Sequence, residues 1–267
     1  SKILFNQKIS LVKEELKYVN VTSNKIGYEA MLLFDSRINK YPDNELTQNF
    51  FGMEVTASKA VFNEKIVTLM DFQRNKRSTH FFYLLPFSKK KALIETTYFS
   101  IKKKSVKGYT LDIKNYLLKN FPNVKFKFGF KESGIIPMFR IENNYVSKKI
   151  LKIGLSNNWS RLSTGYAFQN SFLISKKIVD LIIIQKPIVL NEKKITIFLD
   201  KVFCKFLLTF PEETPNLFFT FFSRLDLKTI VNFLTNNYSI LELIKILIAL
   251  PKLKLIFSMF LVMRNDK

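Results

Sequence analysis

The stretch that most restricts the fold runs from Gln48 to Ser100. It holds four segments of strand composition in quick succession: QNFFGMEV, KIVTLMDF, FFYLL (Phe81–Leu85) and ALIETTY (Ala92–Tyr98). Aromatic and β-branched residues dominate them, and Pro86, Ser88 and three lysines form a turn between the last two. Connections this short predict an antiparallel meander whose side chains alternate between two faces. In the fourth segment that alternation puts Leu93, Glu95, Thr97 and Phe99 on one face. Glu95 has no adjacent Lys or Arg on its own face. Burial of that face would raise its pKa and leave a neutral carboxylic acid at physiological pH, which is an acid catalyst. The same pattern also fits a carboxylate on the solvent face of an ordinary strand.

The segments on either side are mixed. Within Lys2–Val21, ILF and ISLV are short strand candidates, and Glu29–Phe34 (EAMLLF) reads as an apolar strand ending in Asp35-Ser36-Arg37. Tyr109–Asn120 carries apolar residues at Leu111, Ile113, Tyr116, Leu117 and Leu118, the spacing of an amphipathic helix, and Pro122 stops it. Val124–Phe130 (VKFKFGF) alternates as a strand and leads into Glu132-Ser133-Gly134-Ile135-Ile136-Pro137-Met138. Glu132 is a second carboxylate candidate, with turn capping as its plain alternative. Ile150–Leu155 reads as a strand ending at Gly154, and Ser163-Thr164-Gly165-Tyr166 precedes a helical segment over Ala167–Ile184. A glycine turn before a helix lets backbone N–H groups approach an anionic group.

Beyond residue 187 the chain is helical and apolar, punctuated by Pro211, Pro215 and Pro251. Leu241–Met263 is broken by Lys245, Pro251, Lys252 and Lys254, so no clean run approaches the roughly 20 residues of a membrane span. Lysines among Leu, Ile and Phe fit a helix lying in the membrane interface, and equally a buried helix.

The net charge is +22 over 267 residues. The cations are 36 Lys and only 7 Arg, scattered in twos and threes. Base reading and bidentate phosphate contacts favour Arg, so the charge does not read as a nucleic-acid surface. It is compatible with an anionic lipid surface. One cysteine, Cys204, excludes an internal disulfide, and a single histidine, His80, leaves little room for Ser-His or Cys-His chemistry or an imidazole metal site. His80 reads as a surface or edge residue at a strand start. None of the seven glycines forms G-x-G-x-x-G, the dinucleotide phosphate turn.

Five segments occur in fixed order: LMDF (Leu69–Phe72), FFYLLPFS (Phe81–Ser88), ALIETTYFS (Ala92–Ser100), ESGIIPM (Glu132–Met138) and STGYAF (Ser163–Phe168). Together they resemble the lycopene cyclases of the lycopene β-cyclase type, from about Phe34 to the C-terminus. The resemblance implies an α/β fold with a Rossmann-like FAD-binding portion, incomplete here, an antiparallel substrate-binding sheet and a helical C-terminal cap. On that basis residues 1–47 and 148–186 belong to the FAD-binding domain, 48–147 to the substrate sheet and 187–267 to the cap. About a hundred residues with the glycine-rich turn would precede this chain, by the size of a Rossmann half. Its first residue is Ser, which reads as a truncation.

The resemblance also implies a catalytic carboxylate at Glu95, with Glu132 second, and a flavin contact at Gly154, Ser163, Thr164, Gly165 and Tyr166. Phe82, Tyr83, Tyr98, Phe99 and Pro137 become candidates for contact with the substrate. The implied reaction is proton-initiated, non-redox cyclisation of linear carotene end groups. FAD would be kept reduced by NAD(P)H, the carotenoid would be taken from the membrane, and the enzyme would be cytoplasmic and peripherally membrane-associated. A related FAD-dependent polyprenyl reductase or hydroxylase, and a non-enzymatic basic lipid- or nucleic-acid-binding protein, are the alternatives.

Overall fold

The computed structural model describes all residues except 1, 39–40, 76, 143–146, 189, 191–192 and 266–267. The chain begins with a small antiparallel sheet of β1 (Ile9–Glu14), β2 (Val19–Ser23) and β3 (Ile26–Ala30). EAMLLF is not one strand. β3 stops at Ala30, Met31 projects outward, and β4 (Leu33–Asp35) starts again in a different sheet. There β4 runs parallel to β10 (Ile150–Lys152), and Asp35 bonds both Arg37 and Lys152. Burial acts against the Asp35 charge, but the Arg37 and Lys152 bonds outweigh it and hold the carboxyl well below the usual range.

The dominant layer is a five-stranded antiparallel sheet of β5 (Thr47–Ala57), β6 (Thr68–Gln73), β7 (Thr79–Pro86), β8 (Lys91–Ser100) and β9 (Phe126–Pro137). Its order is β6-β7-β8-β5-β9. The meander expected from the sequence therefore holds for β6, β7 and β8 only. β5 pairs with β8 and β9 instead of β6. It is the longest apolar strand after β9, and the inner position buries both of its faces.

One face of the sheet is covered by α1 (Val106–Asn120), which starts at the Ser105 cap, whose hydroxyl accepts from the Gly108 N–H. Phe51, Met53 and Val55 of β5, Ala92 and Ile94 of β8 and Phe82 of β7 pack there against Tyr109, Ile113, Tyr116 and Leu117. Burying each large apolar side chain contributes about 1.5–3 kcal/mol. Leu111 and Leu118, read from the sequence as part of the apolar stripe, point to solvent.

His80 also lies on this side, and it is not a surface residue. It is 8% exposed, stacked on Tyr98 at 4.0 Å between ring centroids, with Nε2 2.9 Å from Thr96 Oγ1. β7 is an inner strand, so its face carries core. Burial pushes the imidazole pKa down to about 4, helped by Lys104 and opposed by Asp112, so the ring is neutral at pH 7.

The second half of the chain is helical, with α2 (Phe168–Ile183), α3 (Lys194–Thr209), α4 (Thr214–Arg224), α5 (Leu227–Leu234), α6 (Ile240–Ala249) and α7 (Lys252–Asn265), and α3 and α4 meet the opposite face of the sheet. Phe81, Phe99, Leu46 and Met138 from the sheet side pack against Cys204 and Leu207 of α3 and Phe218 of α4. Proline at position 251 breaks the last apolar stretch into α6 and α7, which bend by 113°. No single helix among the described residues is long and apolar enough to cross a membrane.

Candidate active site

The sheet register brings the two carboxylates to one row. Tyr83 on β7 is opposite Glu95 on β8, Glu95 is opposite Gly52 on β5, and Gly52 is opposite Glu132 on β9. A Cβ added to Gly52 would lie 2.9 Å from Glu132 Cγ and 3.0 Å from Oε1. The Glu132 side chain therefore lies across the bare backbone of Gly52, towards Glu95. Both carboxyls are partly buried on the face that meets the helical layer. Glu132 is a strand residue, which removes turn capping as its role.

The Thr97 hydroxyl donates to Glu95 Oε1 at 2.8 Å. Burial is the largest influence on Glu95. It works with the charge of Glu132, against the Thr97 bond, and raises the carboxyl from its ordinary 4.5 to about 7. Burial first and then Glu95 push the Tyr83 phenol up, so Tyr83 stays protonated. Near neutrality Glu95 can therefore both give and take a proton, as a general acid–base group requires.

The next rows are built by the same strands. Thr97 is opposite Phe81 and Phe50, and Phe50 is opposite Gly134. Any Cβ at Gly134 would fall 2.3 Å from the Phe50 ring, so a larger residue there would have to displace that ring. One row further, Phe99 is opposite Gln48 and Gln48 is opposite Ile136. Here the turn over residues 163–166 meets the sheet. Gly165, at φ +69°, would carry its Cβ 2.7 Å from Gln48 Oε1. Gln48 is four residues from Gly52 on β5, so this turn is about 13 Å along the strand from the carboxylate row.

The five residues proposed for substrate contact divide between the two faces. Tyr83 and Phe99 share the face of Glu95. Phe82 and Tyr98 have the opposite parity and pack against α1, Phe82 on Tyr116 at 4.1 Å and Tyr98 near Tyr109 at 5.9 Å. Pro137 pairs with Thr47, also off the carboxylate face. Phe82 and Tyr98 are packing residues of the α1 layer.

The turn itself is closed internally. The Thr164 and Gly165 N–H groups donate to the Arg161 carbonyl, and the Arg161 N–H donates to the Tyr166 carbonyl. Ser163 donates its hydroxyl to Asp200 at 2.7 Å. Arg161 pairs with Asp200 at 2.7 Å, with both side chains buried, and also donates to Asn236 and the Phe233 carbonyl. This buried pair ties the turn to α3 and to the α5–α6 connection. The sequence reading missed Arg161, Asp200 and Gly52. A lone acid inside ITIFLDKVF and a glycine inside a strand pattern were the available signals.

No side chain caps α2 at Ala167, so the first backbone N–H groups of this helix have no capping partner. Gln48 Oε1 is buried without a hydrogen-bond partner. An uncapped helix end beside an orphaned acceptor suits a flat ring that carries both acceptors and donors. The Ser163–Tyr166 turn and the start of α2 thus fit the ring portion of a flavin. The sequence contains no G-x-G-x-x-G for the pyrophosphate. Gly154 stands apart, at φ +62°, opening a 3₁₀ turn after β10 with open space around its Cα.

The fold resembles that of enzymes of known structure. It is similar to a flavin-dependent brominase, at 9% identity and a TM-score of 0.52, over 97% of this chain and 70% of the brominase. It is also similar to a geranylgeranyl bacteriochlorophyll reductase-like protein from Thermoplasma acidophilum, at 10% identity and a TM-score of 0.55. That likeness covers 90% of this chain and 66% of the other, so the chain spans just under two thirds of that protein. At such identities the likeness defines the fold. The protein-family model described as lycopene cyclase protein matches residues 2–259, nearly the whole chain. The chain belongs to the lycopene cyclase family. No curated protein matches it.

Proposed function

We propose that this chain is the substrate-binding and catalytic part of a lycopene cyclase, which closes the end groups of a linear carotene without net oxidation or reduction. The observation that carries this reading is Glu95, a partly buried carboxyl aligned with Glu132 across Gly52 on the sheet face opposite α1, in a chain that the family model matches. Cyclisation needs a proton delivered to an isolated double bond, ring closure of the resulting carbocation, and loss of another proton. Glu95 in its acid form supplies the first proton and becomes a carboxylate. The carboxylate pair of Glu95 and Glu132 accepts the second, so protons and electrons balance. Thr97 holds the carboxyl, and Tyr83, Phe81 and Phe99 offer ring faces to the cation while excluding water.

Gly165, Tyr166 and the start of α2 would hold a flavin, assigned as FAD kept reduced by NAD(P)H, with Ser163 and Thr164 shaping the turn. When bound, its chemistry here is electron density beside the site, not turnover. A hydrocarbon substrate is taken from lipid, and the exposed apolar residues of α6 and α7, set among lysines, support peripheral attachment to the cytoplasmic face of an anionic membrane.

The fold likeness to the reductase-like protein favours a second reading, reduction of a polyprenyl chain. Product mass separates the two, because cyclisation gives an isomer and reduction adds hydrogen. The test is Glu95→Gln and Glu132→Gln in the full-length enzyme, expressed in a lycopene-producing host at normal protein levels. Glu95→Gln should lose about 100- to 10,000-fold in cyclic product, the usual contribution of an acid–base group. Wild-type conversion by Glu95→Gln would refute the assignment.

A further inference from the structure

The helical layer encloses a cavity of about 310 Å³ that the carboxylate site does not use. Its walls come from α3 to α7, with Leu217, Phe221, Phe233, Ile246 and Met259 among the lining residues. The few polar groups stand at one end, where Ser163 and Thr164 enter from the flavin-side turn together with Asp200. Asp200 is already neutralised by Arg161 and bonded by Ser163. The interior therefore offers almost nothing to a polar ligand, and a buried polar group without a partner costs a few kcal/mol, about 2 or more. A hydrocarbon chain meets no such penalty.

The cavity has a mouth. Phe222, Leu247 and Ile256 line it and are also 49%, 47% and 44% exposed. Around them stand apolar residues exposed further still, including Phe219 at 72%, Ile248 at 63% and Phe260 at 61%. An opening ringed in this way faces lipid more favourably than water. At the other end Phe203 and Phe218 separate the cavity from the sheet. Phe218 lies 6.3 Å from Phe99 and 5.8 Å from Phe72, and Phe99 continues through Phe81 to Tyr83, the cross-strand neighbour of Glu95. A file of aromatic rings thus joins the cavity to the acid.

We propose that this cavity is the binding site for the acyclic polyisoprenoid chain, entered from lipid between α4 and the α6–α7 elbow and separated from Glu95 by Phe203 and Phe218. The inference rests on the cyclase reading for the identity of the chain, but the site itself is defined by its shape and lining. Lys252 is the one cation in the lining among the described residues, so a fatty acid is the rival occupant.

The test is equilibrium binding of radiolabelled geranylgeraniol to the full-length enzyme in detergent, with unlabelled palmitate as competitor. Leu247→Trp plugs a half-exposed mouth position and Met259→Trp fills the wall, so both should weaken binding by about tenfold or more with unchanged melting temperature. If both tryptophan variants bind as wild type, or palmitate displaces the label at equal concentration, the assignment is overturned. The cyclase reading is tested separately, by product formation. Lost cyclisation in Glu95→Gln alongside unaltered binding in both plugged variants would sink the cavity and spare the reaction.

Discussion

Replacing Glu95 by Gln should stabilise the protein while it abolishes the chemistry, and the size of the gain follows from the site. The folded chain holds this carboxyl at about 7, against 4.5 for an ordinary Glu. Its folded pKa lies above its unfolded one, so the neutral form contributes fully below pH 4.5, and that contribution is lost as pH rises towards 7. Above pH 7 the fold must carry a partly buried carboxylate beside Glu132. Each tenfold change in proton affinity is about 1.4 kcal/mol, so the full penalty is roughly 3 kcal/mol as an upper value. Glutamine still accepts the Thr97 hydroxyl bond and never ionises. Urea unfolding of wild type and Glu95→Gln at a series of pH values should show equal pH dependence below 4.5. Between pH 4.5 and 7 the variant should pull ahead, and above that the gap should level at up to about 3 kcal/mol. A gap that stays flat across the range, or that widens as pH falls, would refute the claim that Glu95 is held neutral by its surroundings.

Three further outcomes are expected. In Gly52→Ala the new methyl displaces the flexible Glu132 side chain, so the alkaline limb of the pH–rate profile should move to lower pH; an unmoved limb would mean that Glu132 does not act on Glu95. Asp200→Asn leaves Arg161 buried without its counter-charge and should cost about 3–5 kcal/mol in denaturant unfolding, whereas Arg161→Met combined with Asp200→Leu should cost clearly less. Flotation with anionic liposomes should retain the chain, and removing the residues after Leu250 should weaken retention; flotation unaffected by the deletion would take α7 out of the membrane account.

The strands around Glu95 were legible because aromatic and β-branched alternation is local information, and the parity of β8 already placed Glu95 with Thr97 and Phe99. The same parity rule would have separated Phe82 and Tyr98 from them, since each is one residue out of step with Tyr83 and Phe99. The position of β5 was not legible. Pairing of β5 with β8 and β9 depends on long-range packing, and nothing near Gln48 or Gly52 announces it. For the same reason the meeting of Glu95 and Glu132 across Gly52 could be reached only through the register. His80 was misplaced because a strand start looks exposed until a neighbouring strand covers it on each side. The Arg161–Asp200 pair joins a loop to a helix 39 residues away, a contact that no local pattern encodes.

The most direct test of the central claim is cyclisation of lycopene by the full-length enzyme in D₂O, followed by mass spectrometry of the product. Proton delivery by an exchangeable acid at Glu95 predicts a product isomeric with lycopene in H₂O, one deuterium per ring closed in D₂O, and neither product in Glu95→Gln. Addition of two hydrogens, incorporation of oxygen, a ring formed without solvent deuterium, or normal labelling in Glu95→Gln would contradict it.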